Sequence, residues 1–218
     1  MMYKALMFDL DGTILHTISD ITIALNTALK TCGYNFSYND EETTKLIGMG
    51  AHTIIARVFK NREHTKKDFD LLYAEFQRNY QKFQGMYATP FEGITELLKQ
   101  LKKENKLLFV VSNKPDHLAK IIVEHYFPTT FDLIYGHQEH LPEKPNPYLI
   151  DLIVNKYQLN KEEVLFIGDS DVDYLTAKNG QVPFCLVMWG YGDYQKEFVK
   201  DSQFIAYNVH QLKDIIYK

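Results

Sequence analysis

The chain has 218 residues, 45% of them apolar and 24% charged, with a net charge of -4 at pH 7. That is the make-up of a globular protein of one or two domains with room for a sizeable core. It excludes a basic nucleic-acid surface, and no apolar run approaches the roughly 20 residues that cross a bilayer. Cys32 and Cys185 are too few and too far apart for a disulfide framework or a zinc cluster, and both read as reduced thiols. Met1 to Phe8 is interrupted by Asp9 too soon to be a signal peptide. The expected location is the cytoplasm.

The first element is the short apolar run Leu6-Met7-Phe8, which has no room for a helix before Gly12 and reads as a buried strand. Helical spacing then recurs. Thr17 or Ser19 can cap a helix carrying Ile21, Ala24, Leu25, Ala28 and Leu29, with Gly33 as its stop. Asn39 can cap a short helix to Leu46, which ends at Gly48-Met49-Gly50. A third helix spans about 51–59 and a fourth about 65–83, the latter with an aromatic packing stripe (Phe69, Tyr73, Phe76, Tyr80, Phe83). Residues 15–86 therefore read as all-helical.

From Thr89-Pro90-Phe91-Glu92-Gly93 the pattern changes. A helix to about Lys103 leads into the apolar run 107–111. Then helix 115–125 precedes a strand at 133–135, helix 146–157 one at 164–167, and helix 171–179 one at 184–187. The strand 204–206 and helix 209–217 close the chain. Strands apolar throughout and separated by amphipathic helices imply a parallel sheet covered on both faces. The first strand must join that sheet, since a lone strand cannot bury itself. The expected fold is α/β: a doubly wound parallel sheet formed by 1–14 and 87–218, with 15–86 as an inserted helical domain.

In such sheets the ligand crevice lies beyond the carboxyl ends of the strands. Asp9 and Asp11 follow the first strand, and two residues apart in extended chain they point the same way. Paired carboxylates there repel, and a divalent cation relieves them. Gly12 allows a sharp turn beside them. Ser112-Asn113-Lys114 follow the second strand, the loop after the third reaches Lys144-Pro145, and Gly168-Asp169-Ser170-Asp171-Val172-Asp173 follow the fourth. Taken singly, each has a plain structural reading: a helix cap for Ser112-Asn113, a solvated side chain for Lys144, dipole-favoured charges for the last acidic group. Together, at one sheet edge, they form a set suited to phosphoryl chemistry. His137, Glu139 and His140 lack the spacing and company of a zinc site.

The order Asp-x-Asp-Gly-Thr, Ser-Asn, Lys-Pro, Gly-Asp-Ser-x-x-Asp resembles the haloacid dehalogenase-like superfamily, whose core is Rossmann-like. The helical insert resembles its class with an alpha-helical cap, to which phosphoglycolate phosphatase-like enzymes belong. Pro90-Phe91-Glu92-Gly93 and Trp189-Gly190-Tyr191-Gly192 resemble that type too. The resemblance implies a hydrolase that removes phosphate from a small-molecule monoester. Asp9 would be the nucleophile, forming an aspartyl-phosphate, and Asp11 the general acid and base. Mg²⁺ would be held by Asp9, the Asp11 backbone carbonyl and Asp169, with Asp173 in the same site orienting metal-bound water or Lys144. Ser112, Asn113, Gly12 and Thr13 would hold phosphoryl oxygens and Lys144 would offset their charge. Gly48 would face substrate from the cap. Thr13 favours a phosphatase over a phosphosugar mutase of the beta-phosphoglucomutase type, the first alternative; a non-catalytic binding relative is the second. No nucleic-acid or membrane partner is expected, and the chain is expected to be a monomer or weak homodimer.

Overall fold

The computed structural model describes residues 3–48 and 50–218. It divides into two compact units, Met1–His16 with Pro90–Lys218, and Thr17–Thr89. The crossings fall two and three residues later than the 14/15 and 86/87 boundaries read from the sequence. The short strands β2 (Leu15–His16) and β3 (Thr89–Pro90), which no sequence pattern announced, occupy the two crossings.

The first unit is built on a six-stranded sheet in the order β5-β4-β1-β6-β7-β8. Its strands are β1 (Ala5–Phe8), β4 (Leu107–Pro115), β5 (Leu133–His137), β6 (Val164–Gly168), β7 (Phe184–Val187) and β8 (Phe204–Ala206). β1 lies at the centre, parallel to β4 (Phe8 opposite Val110) and to β6 (Phe8 opposite Ile167). All four of its side chains are fully buried. The pleat sends Ala5, Met7, Phe109, Val111, Val164 and Phe166 to one face, where α7 (Tyr148–Tyr157) packs Ile150 and Ile153 and α8 (Asp171–Gly180) packs Ala177. Leu6, Phe8, Leu108, Val110, Leu165 and Ile167 alternate to the opposite face and are as deeply buried. Both faces are therefore core, which is why these strands read as unbroken apolar runs. α5 (Ile94–Lys103), α6 (Asp116–Tyr126), α9 (Phe198–Asp201) and α10 (Val209–Ile216) complete the unit. Because strand order runs outward in both directions from β1, the switch point lies beyond its carboxyl end.

Two of the sheet strands run further than the sequence reading gave them. β4 continues to Pro115 instead of stopping near 111, with a register shift against β5 between Val111 and Pro115. β5 continues to His137, so that residue ends a strand and does not sit in a loop. Its Nδ1 lies 3.6 Å from Glu143 Oε2.

The second unit consists of α1 (Ile18–Thr31), α2 (Asp40–Thr44), α3 (Gly50–Phe59) and α4 (Lys66–Phe83), with α1 packed on α4 and α3 on α4. Asn39 and Thr65 head α2 and α4 in capping boxes. Asp20, fully buried in α1, accepts the backbone N–H groups of Gly85 (2.6 Å) and Tyr87 (2.8 Å) and so fixes the segment after α4. Gly48 precedes α3, with the Arg57 guanidinium as its neighbour. Met49, the centre of the glycine loop read from the sequence, lies outside the described residues.

Candidate active site

The carboxyl ends of β1, β4 and β6 and the loop after β5 deliver the polar side chains. Asp9 is the first residue past β1, held by its N–H to the Ile167 carbonyl at 2.9 Å. Lys144 reaches it from the loop before α7: Nζ lies 2.7 Å from Asp9 Oδ1 and 2.7 Å from Asp173 Oδ1. The Lys144 side chain is only 4% exposed. A buried ammonium between two carboxylates is strongly directional, since each contact is charge-assisted and unscreened by water.

Asp173 owes its position to local sequence. Ser170-x-x-Asp173 forms a capping box at the start of α8: Asp173 Oδ2 accepts the Ser170 N–H (3.1 Å) and hydroxyl (2.6 Å). Both its oxygens therefore have protein donors. Asp169, one residue past β6, receives the Thr13 hydroxyl on Oδ1 at 3.1 Å and the Tyr191 N–H on Oδ2 at 2.6 Å. Gly12 is at φ +90°, and a Cβ there would lie 2.5 Å from Asp169 Oδ2, so no other residue fits this approach.

Carboxylate oxygens of Asp9, Asp169 and Asp173 lie within 4.8 Å of one another, all three residues being buried. Burial, reinforced by the Asp173 charge, pushes the Asp9 carboxyl up to about 7 although Lys144 pulls the other way. Burial, with Asp173 and Asp9 adding to it, lifts Asp169 well above the ordinary carboxylate range. For Lys144, burial opposes the charge, but Asp173 and Asp9 outweigh it and hold the ammonium above the usual lysine range. This is the electrostatic signature of hard oxygen donors crowded together with too little positive charge.

Residues 6–187 match the family model described as haloacid dehalogenase-like hydrolase. The chain belongs to this family. It is 32% identical over 190 residues to a phosphoglycolate phosphatase of Aquifex aeolicus, covering 86% of each chain. It is 26% identical over 226 residues to a phosphoglycolate phosphatase of Vibrio vulnificus, covering 98% of this chain and 96% of that one. Among solved structures, that of a candidate phosphoglycolate phosphatase from Lactobacillus delbrueckii subsp. bulgaricus superposes with a TM-score of 0.92 at 28% identity, covering 100% and 99% of the two chains.

Within this haloacid dehalogenase-like core, Asp9, Lys144, Asp169 and Asp173 converge. Ser112 joins the same sheet edge, buried, its hydroxyl accepting the Lys114 N–H at 3.2 Å. Asp11 stands apart from the carboxylate cluster: its side chain pairs with Lys114, Nζ to Oδ1 at 3.1 Å. The side chains of Thr13 and Asn113 turn away from the substrate role read for them. Thr13 is fully buried with its hydroxyl on Asp169. Asn113 clamps the Lys144 backbone, Nδ2 donating to its carbonyl at 3.0 Å and Oδ1 accepting its N–H at 2.9 Å. Gly48 belongs to the helical unit, and its neighbours are of that unit.

The sequence reading gave Lys114 no role and took the segment after β7 only as a further resemblance. In this hydrolase that segment supports the site: the Trp189 indole N–H donates to the Thr13 carbonyl at 3.0 Å, two residues before the Tyr191 N–H meets Asp169. The signal was present in the glycines that flank Tyr191, which permit close backbone approach.

Proposed function

We propose that this hydrolase is a Mg²⁺-dependent phosphatase of small phosphate monoesters, phosphoglycolate among them, working through an aspartyl-phosphate on Asp9. The observation that carries the reading is Lys144, whose ammonium touches Asp9 and Asp173 at 2.7 Å each beside Asp169. Fully ionised, Asp9, Asp11, Asp169 and Asp173 outweigh Lys114 and Lys144 by two negative charges, which one divalent cation cancels. The donors are carboxylates, as a small hard cation requires. Asp9, Asp169 and the Asp11 carbonyl would hold Mg²⁺, which when bound offsets phosphoryl charge; Asp173, with both oxygens engaged, orients Lys144.

Asp9 attacks phosphorus as the bond to the leaving oxygen breaks, and Asp11 gives that oxygen a proton. Asp11 then takes a proton from the water that attacks the aspartyl-phosphate, releasing phosphate and restoring Asp9. The Ser112 hydroxyl and the backbone N–H of Asn113 bind phosphoryl oxygens beside the turn at Gly12 and Thr13, whose own N–H groups donate to the Leu15 and Leu10 carbonyls, and Lys144 offsets the charge developing on them. By family likeness the helical unit acts as the cap that excludes water, with Gly48 facing substrate.

A screen of phosphate esters with Mg²⁺ against an Asp9→Asn control tests this. The wild type is expected to release phosphate and yield an acid-trapped phosphoenzyme; the variant, folded, yields neither. Undiminished turnover by Asp9→Asn refutes the nucleophile.

A further inference from the structure

A second buried lysine stands in the site, and no step above uses it. The Lys114 side chain is 1% exposed, and its Nζ lies 3.1 Å from Oδ1 and 3.4 Å from Oδ2 of Asp11. Its backbone is held from two sides. The Ser112 hydroxyl accepts its N–H, and β4 runs so close beside β5 that a Cβ on Gly136 would come 2.5 Å from the Lys114 carbonyl oxygen. The ammonium is therefore delivered to Asp11 by a fixed strand end, not by a mobile surface arm.

Asp11 is the carboxyl that meets the leaving oxygen in the proposed reaction. Once Asp11 has given up its proton it is a carboxylate, which repels a leaving group carrying its own negative charge, and in a buried site water does little to dilute the repulsion. Lys144 cannot relieve it, because its ammonium is committed between Asp9 and Asp173. Lys114 is the cation stationed at Asp11. We propose that Lys114 determines specificity: its ammonium offsets Asp11 and receives the leaving group's charge, so the site selects phosphate monoesters whose leaving group bears a second anion, such as a carboxylate one carbon from the ester oxygen. This rests on the aspartyl-phosphate reading above, with Asp11 on the leaving-group side.

The test compares 2-phosphoglycolate with 2-hydroxyethyl phosphate, its uncharged counterpart, in wild type, Lys114→Met and Lys114→Arg with Mg²⁺. The wild type prefers 2-phosphoglycolate. Lys114→Met lowers kcat/KM for it about 10²-fold, at least about tenfold more than for 2-hydroxyethyl phosphate, and Lys114→Arg regains part of the preference. Equal losses on both esters, or no loss, overturn the proposal while leaving the phosphatase reading intact, as does a wild type that prefers the uncharged ester. A wild type that turns over no phosphate ester overturns both. Should Lys114→Met fail to fold, inhibition of the wild type decides: glycolate inhibiting far more strongly than ethylene glycol supports the proposal, and equal inhibition overturns it.

Discussion

Replacing Lys144 by Met removes the one ammonium that touches both Asp9 and Asp173 and keeps most of the side chain's volume. Two contacts of 2.7 Å are lost, and two buried carboxylates are left facing each other. Breaking a buried pair in this way costs about 3–5 kcal/mol, a large part of the roughly 5–15 kcal/mol that keeps a domain folded. At about 2–4 °C per kcal/mol for a chain of this size, Tm falls by about 6–20 °C. The cost depends on pH. Asp9 titrates at about 7 even with Lys144 beside it, so the attraction between them is present above pH 7 and fades as pH falls and the carboxyl takes up its proton. The variant's Tm deficit in EDTA is therefore larger at pH 8 than at pH 5. On the proposed mechanism turnover falls about 10²–10³-fold, as for loss of an oxyanion donor, because Asp9 without Lys144 holds its proton more tightly and attacks less readily. Thermal unfolding at the two pH values and initial rates of phosphate release measure both effects. A Tm deficit equal at pH 5 and pH 8, or kcat within tenfold of wild type, refutes the electrostatic role and leaves Lys144 a packing residue.

Asn113→Ala removes two hydrogen bonds to the Lys144 backbone, worth about 1 kcal/mol each, so kcat falls about 30-fold with KM little changed; a rise in KM at constant kcat would instead make Asn113 a substrate ligand. The metal-free wild type has a pH slope of its own. The Asp9 carboxyl sits at about 7 in the fold, above the carboxylate's unfolded value, so the folded state binds the extra proton and stability declines as pH rises from about 4 to 7. Because Mg²⁺ competes with that proton, unfolding followed with Mg²⁺ in place of EDTA shows this decline flattened; identical slopes would place the cation elsewhere.

What the sequence made legible follows from burial. A strand covered on both faces has no polar alternation, so β1, β4, β6 and β7 stand out as apolar runs, and the polar groups just beyond them mark the crevice edge. Strand order is not written locally: that β1 lies between β4 and β6 depends on pairings more than 100 residues away. The extension of β4 through Ser112, Asn113 and Lys114 was hidden because polar residues after an apolar run look like a loop, and these three span the register shift between the Val111 and Pro115 pairings with β5. Side-chain direction was hidden in the same way. Thr13 and Asn113 are of the right type for phosphate, yet their partners are Asp169 and Lys144, so both side chains position residues of the buried charged cluster.

Lys114 and Lys144 show why residue type alone could not separate them. Each is a lysine that follows an apolar run in the sequence, and nothing local marks either as buried. What distinguishes them is the carboxylate each meets: Asp9 and Asp173 for Lys144, Asp11 for Lys114, the latter pair 103 residues apart in the chain. In the proposed mechanism these contacts divide the site: Asp9, with the acidic cluster and Lys144, handles the phosphoryl group that every substrate shares, and Asp11, with Lys114, meets the part in which substrates differ. A change at Lys144 should accordingly depress all esters alike, while a change at Lys114 should reorder them.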